Sequence, residues 1–169
     1  SKVVVYITGI ANHNTGSAGY YNGQVTSKWN ASTNEPVFER IGNGSDVDIS
    51  YAVVEYTGVN WDIQRIEHLY ESATTTETEA ISPVNSIDRT FLHTQKRMGP
   101  MSEQVHFGHQ VGISSMGQIS FKLTDLATTT EDHVSVAWVI ENTQTTNGAM
   151  KVYQSNGVIT GGSEPRITY

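Results

Sequence analysis

Apolar residues recur at every second position over much of this chain, the spacing of strands with one buried face. Residues 2–8 open with a strand that is apolar on both faces, and Val25, Ser27 and Trp29 alternate with polar neighbours in a second. Residues 30–36 form a turn-rich connection to a short strand at 37–41, and Gly42-Asn-Gly-Ser45 forms a tight turn. Residues 48–57 then place Ile49, Tyr51 and Val53 on one face. A hairpin loop, Gly58-Val-Asn60, returns the chain through a strand at 61–68. Residues 89–97, 111–115, 118–124 and 134–141 read as further strands, the last turning back through a loop at 143–148 to a strand at 149–154. The pattern predicts that Val53, Ile119, Phe121, Val136 and Trp138 are buried. Residues 63–72 carry apolar side chains at 63, 66, 69 and 70, which also fits a helix turn. The hairpin reading is preferred because β-branched residues dominate throughout.

Composition reinforces the strand reading. Val and Ile number 30 against 4 Leu, and Thr, Ser and Asn number 20, 16 and 11. The fold class expected is all-β, an antiparallel β-sandwich or jelly roll. The 169 residues read as a single β-domain, with internal halves of about 1–72 and 84–169 joined by a Thr/Glu-rich segment at 73–83. That segment is read as a link or an edge strand. The halves suggest duplication. Tyr51 and Trp138 each precede a β-branched pair and a glutamate, Glu55 or Glu141, and each copy is followed by a return strand. Equivalent hairpin units at 37–66 and 119–154, each with a solvent-facing glutamate, are the expectation.

Charge and cysteine content narrow the function. There is no cysteine, so disulfides, thiolate metal sites and cysteine nucleophiles are excluded. The formal charge is -7, from 10 basic and 17 acidic residues, which does not suit a nucleic-acid partner. No apolar run approaches the roughly 20 residues of a membrane span. Phosphate-binding glycine loops and a Gly-x-Ser-x-Gly elbow are absent from the sequence. The chain is therefore expected to carry no cofactor and no enzymatic activity.

Tyr51-Ala-Val-Val-Glu-Tyr-Thr-Gly58 followed by Trp61-Asp-Ile-Gln-Arg65 resembles a β-repeat of phage structural proteins and large bacterial surface proteins. The likeness covers residues 46–68 and, more weakly, 85–154. It implies an assembly role, at a virion or extracellular surface, and no catalytic residues. The expected function is that of a structural subunit of a phage capsid, decoration or tail, or of a cell-surface layer. Its expected partners are copies of itself or other subunits of the same shell.

Candidate contact residues come from two long loops, 9–23 and 99–110, which carry apolar side chains that a solvated loop does not need. These are Ile10, Tyr20 and Tyr21 in the first, and Met101, Val105 and Phe107 in the second. The alternative is a glycan-binding module in which Tyr20, Tyr21 and Trp29 form a platform for sugar rings. A metal site at His106 and His109 with Glu103 has suitable ligand chemistry, but spacing fixes no further ligand. Asp46 and Asp48 lack the remainder of a calcium loop.

Overall fold

Strands account for most of the described chain, and no α-helix occurs among the described residues. The computed structural model describes residues 2–13, 24–41, 46–70, 76–98, 108–124, 133–145 and 150–152. In chain order the strands are β1 (Val3–Asn12), β2 (Thr26–Asn30), β3 (Glu35–Glu39), β4 (Val47–Glu55) and β5 (Trp61–Tyr70). They continue with β6 (Thr76–Ala80), β7 (Thr90–Met98), β8 (Gly108–Ser115), β9 (Gln118–Thr124) and β10 (His133–Asn142). Among the described residues two ribbons, β1–β4 and β2–β3, accompany two three-stranded sheets, β5–β10–β7 and β6–β9–β8. Every pairing is antiparallel, so the all-β, sandwich-like architecture expected from the sequence is present.

The arrangement is organised around β10. Its residues Val134-Ser-Val-Ala-Trp-Val-Ile140 are nearly all apolar, without the alternation of a one-sided strand, and all ten residues of β10 are buried. An uninterrupted apolar run of this kind belongs to a central strand covered on both faces. Ala137 and Val139 pack with Ile119 and Phe121 of the β6–β9–β8 sheet and with Tyr70. Val134, Val136, Trp138 and Ile140 pack with Val4 of β1. Each fully buried aliphatic side chain is worth roughly 1.5–3 kcal/mol relative to exposure. Both cores therefore depend on the one strand.

Polar side chains fix the ribbons against the central sheet. Gln95 on β7 is buried, accepts the backbone N–H of Ser27 at 2.7 Å and donates to the carbonyl of Val5 at 2.9 Å. One amide thus links β7, β2 and β1, and the Val5 carbonyl it reaches also accepts from the Ser27 hydroxyl at 2.8 Å.

Several expectations are corrected. Val53 is exposed, whereas Ile119, Phe121, Val136 and Trp138 are buried as predicted. Gly58-Val-Asn60 does not close a hairpin: β4 pairs with β1, and β5 pairs with β10 in another sheet. Gly58, at φ 88°, takes the left-handed conformation needed where the chain changes sheet. Tyr51 is exposed and Trp138 buried, so the two proposed copies occupy different environments and do not form equivalent hairpin units. The halves also share a sheet, because β5 and β10 pair along ten residues. Residues 76–80 of the Thr/Glu-rich segment form the edge strand β6. The loop expected from Gly9 starts later, since β1 continues to Asn12, whereas the preferred strand reading of residues 63–70 holds. Of the predicted return strand at 149–154, residues 150–152 are described and are not strand, and the rest lies outside the described residues.

Glu141 is the second reversal. It was expected to face solvent, yet it is fully buried. Its Oε1 accepts the backbone N–H groups of Asn85 at 2.8 Å and Ser86 at 3.0 Å, and Oε2 accepts the Asn85 amide at 3.3 Å. These charge-assisted bonds anchor the turn that precedes β7. Glu141→Ala should cost about 2–3 kcal/mol, because two backbone donors lose their acceptor. Urea unfolding of Glu141→Ala beside Glu141→Gln, which keeps an acceptor oxygen, checks this. Equal stability of Glu141→Ala and wild type would contradict it.

Candidate interaction surface

The β1–β4 ribbon is buried along one strand and open along the other. Val5 lies opposite Val53, with 0 % of its surface exposed against 41 %. Val4 lies opposite Val54, with 0 % against 37 %. Burial thus falls away within one strand spacing on both faces, and β4 is the rim. Tyr51 is also exposed, and its ring meets Phe38 at a centroid distance of 4.9 Å. At the far end Ile10, opposite Ile49, is exposed as well.

The ribbon is pinned from its inner side. The backbone N–H of Tyr56 donates to the carbonyl of Lys2 at 2.8 Å, and the Tyr6 and Tyr56 hydroxyls are 2.5 Å apart. Burial, then the neighbouring Tyr56 hydroxyl, pushes the Tyr6 phenol far above its ordinary range, so Tyr6 stays neutral in ordinary buffers. The exposed strand is therefore held in an extended shape. Among the described residues β4 pairs with β1 alone, leaving an edge of unpaired amide and carbonyl groups. The run Ile49-Ser-Tyr-Ala-Val-Val54 on that edge has no charge and no proline. Edge strands normally carry Lys, Pro or a bulge that opposes pairing with another chain. The run itself lacks Lys and Pro, while the ribbon's one register shift lies in β1 between Ile7 and Gly9, opposite Tyr51 and Ser50; a short, uncharged, β-prone run of this kind is a template for further strand pairing.

A second feature lies between β2 and the central sheet. Trp29, Lys28, Arg65 and Trp138, with Val3 and Ile63, line a recess of about 210 Å³. Arg65 sits over the Trp138 ring at 5.8 Å. Ion pairs run from here through the molecule. Lys28 pairs with Glu39, Glu39 with Arg97 at 3.2 Å, Arg97 with Glu67 at 2.5 Å, and Glu67 with Arg65 at 2.9 Å. Burial alone would raise the Glu67 carboxyl, but the Arg97 and Arg65 guanidiniums outweigh it and hold the group below its usual value.

A third polar cluster is enclosed. His109 Nδ1 lies 3.0 Å from Ser135 Oγ, and Tyr70 contacts the same hydroxyl at 3.3 Å. Burial first, and Lys96 second, lower the His109 imidazole to about 4. A serine beside a neutral histidine has the chemistry of an activated nucleophile. Ser135 is 1 % exposed, however, so as it stands the pair is a hydrogen bond of the core rather than a point of attack on substrate.

Of the residues singled out in the sequence, Ile10 is exposed on β1, Trp29 lines the recess, and His109 is tied into the core. Tyr20, Tyr21, Met101, Glu103, Val105, His106 and Phe107 lie outside the described residues. His109, expected in a loop, instead lies on β8 against Ser135, and its suggested co-ligands lie outside the described residues. Among the described residues no group of three His, Asp or Glu is arranged to hold an ion. Among the same residues no helix is long and apolar enough to cross a membrane. Sequence reasoning missed Tyr51, Val53 and Val54 as surface and Lys28, Arg65 and Trp138 as partners of Trp29. The uncharged run 49–54 was the available signal for the first group. No family model matches the chain, and neither the curated proteins nor the solved structures contain a match to it.

Proposed function

We propose that this chain is a non-enzymatic structural subunit of a virion, in a capsid, decoration or tail role, or of a cell-surface assembly, and that it works by self-association and contact with neighbouring subunits. The observation that carries this reading is the exposed edge of β4, with Tyr51, Val53 and Val54 in solvent and no charge between Ile49 and Val54. An exposed apolar strand edge is costly for a solitary protein, since it invites indiscriminate pairing. The same edge serves a subunit that meets a defined neighbour, where main-chain hydrogen bonds supply affinity and alternate side chains supply specificity. The resemblance of residues 46–68 to repeats of phage and surface proteins points to the same kind of role.

Analytical ultracentrifugation across a concentration series tests the proposal. Wild type should associate reversibly, through an interface of at least about 1,000 Å² if it is specific. Val53→Asp and Tyr51→Asp should remain monomeric with unchanged melting temperatures, because both positions are exposed in the isolated chain. A wild type that stays monomeric throughout, or variants that associate as wild type does, would overturn the assignment.

A further inference from the structure

The recess beside Trp29 is built from donors without a matching set of acceptors. The ion-pair chain Lys28–Glu39–Arg97–Glu67–Arg65 contains three cations and two carboxylates, a surplus of one positive charge in a chain whose formal charge is -7. Both ends of that chain, Lys28 and Arg65, line the same recess. The ring of alternating charges is therefore one carboxylate short at the recess. One further donor makes the same point. Trp138 Nε1 is buried without an acceptor among the described residues. Arg65 is held at the recess by Glu67, 2.9 Å from its Nη2, and by the carbonyl of Ser27, which accepts from its Nε at 3.1 Å. Buried donors left without acceptors are uncommon in native proteins and call for a physical explanation.

The walls add a shape requirement. Trp29 is partly exposed on β2, Trp138 forms part of the opposite lining, and Val3 and Ile63 contribute apolar surface. Indole surfaces favour the flat or C–H-rich face of a ring, and a volume near 210 Å³ has room for one such ring with its substituent. Charge and shape together specify a ring that carries a carboxylate.

We propose that this recess is a binding site for a carboxylate borne on a six-membered ring, the carboxylate seated between Lys28 and Arg65 and the ring against Trp29. Both a uronic acid of an acidic glycan and an aromatic acid have this chemistry. The site is independent of the β4 edge, and neither reading requires the other. The position of Trp29 in this recess gives the glycan-binding alternative a concrete form that does not depend on Tyr20 or Tyr21.

The three tryptophans of the chain give three indole N–H signals in ¹H–¹⁵N spectra, assignable by single Trp→Phe replacements. Titration with glucuronate and with benzoate, beside glucose and acetate as controls, reads the site directly. At least one of the two ring acids should shift the Trp29 and Trp138 signals saturably and leave Trp61 in place. Glucose, which lacks the charge, and acetate, which lacks the ring, should bind roughly tenfold more weakly or worse. The tighter of the two acids identifies the source of the ligand. Lys28→Gln should weaken binding about tenfold, and because the Lys28 side chain is 44 % exposed this variant should fold normally. Trp29→Leu should reduce affinity for the ring acid without changing the weak response to acetate. The absence of saturable shifts with both acids, equal binding of acetate and the ring acids, or full affinity in Lys28→Gln would overturn the proposal.

Discussion

Trp138→Ala should lower the unfolding free energy by about 3–5 kcal/mol, the range for removing a large aromatic side chain from a core that cannot collapse around the gap. Trp138 is 4 % exposed at the middle of β10, with Arg65 and His93 opposite it on the two flanking strands. The strand is hydrogen-bonded on both sides and covered on both faces, so its backbone has little freedom to move into the space left behind. Arg65 would also lose the ring over which it lies, leaving a partly buried guanidinium above a void. Urea denaturation followed by far-ultraviolet circular dichroism measures the effect. Trp138→Phe should cost distinctly less because it restores most of the volume. A loss below about 1 kcal/mol in Trp138→Ala would show that the even-numbered face of β10 is not a packed core.

Acid should destabilise the protein through His109. Burial and Lys96 depress its imidazole from 6.5 to about 4 in the folded chain. Between those values the unfolded chain binds a proton that the folded chain refuses. The stabilisation is therefore complete above pH 6.5 and is lost as pH falls from 6.5 towards 4. A shift of this size is worth on the order of 3 kcal/mol. His93, lowered by burial, acts with the same sign. Unfolding free energies at several pH values across this window should fall with pH in wild type and flatten in His109→Gln, which preserves a hydrogen-bonding group for Ser135. The same slope in both proteins would mean that His109 is not held neutral by its surroundings.

The strength of the sequence lay in local pattern, and its weakness in the order of strands. The run from Val134 to Ile140 reads as buried because its residues are apolar at consecutive positions, and the structure places it at the centre. Ile49, Tyr51 and Val53 carry an equally good alternation, yet they lie on the rim. Alternation says which side chains share a face; it does not say whether anything covers that face. Glu141 shows the same limit for polar residues. A lone glutamate after a strand reads as solvated, and only the fold brings the backbone donors of Asn85 and Ser86, more than fifty residues earlier, to its carboxylate. Trp29 could be singled out as an aromatic candidate, but its partners Arg65 and Trp138 come from β5 and β10, distant in sequence and joined only by pairing.

The central position of β10 also constrains the order in which the molecule can be made. β10 is the last of the described strands, and it supplies the apolar residues against which both β1 and β9 pack. A nascent chain that has not yet reached residue 142 has β5 and β7 without the strand that joins them. Val4, Ile119 and Phe121 must then wait until residues 134–140 have been made. Folding of this kind is rate-limited by closing long loops rather than by local turns, and slow. During that wait the uncharged run at β4 is the segment most exposed to neighbouring copies. On the proposed subunit role, assembly and misassembly would use the same surface, and the timing of β10 would decide which begins first.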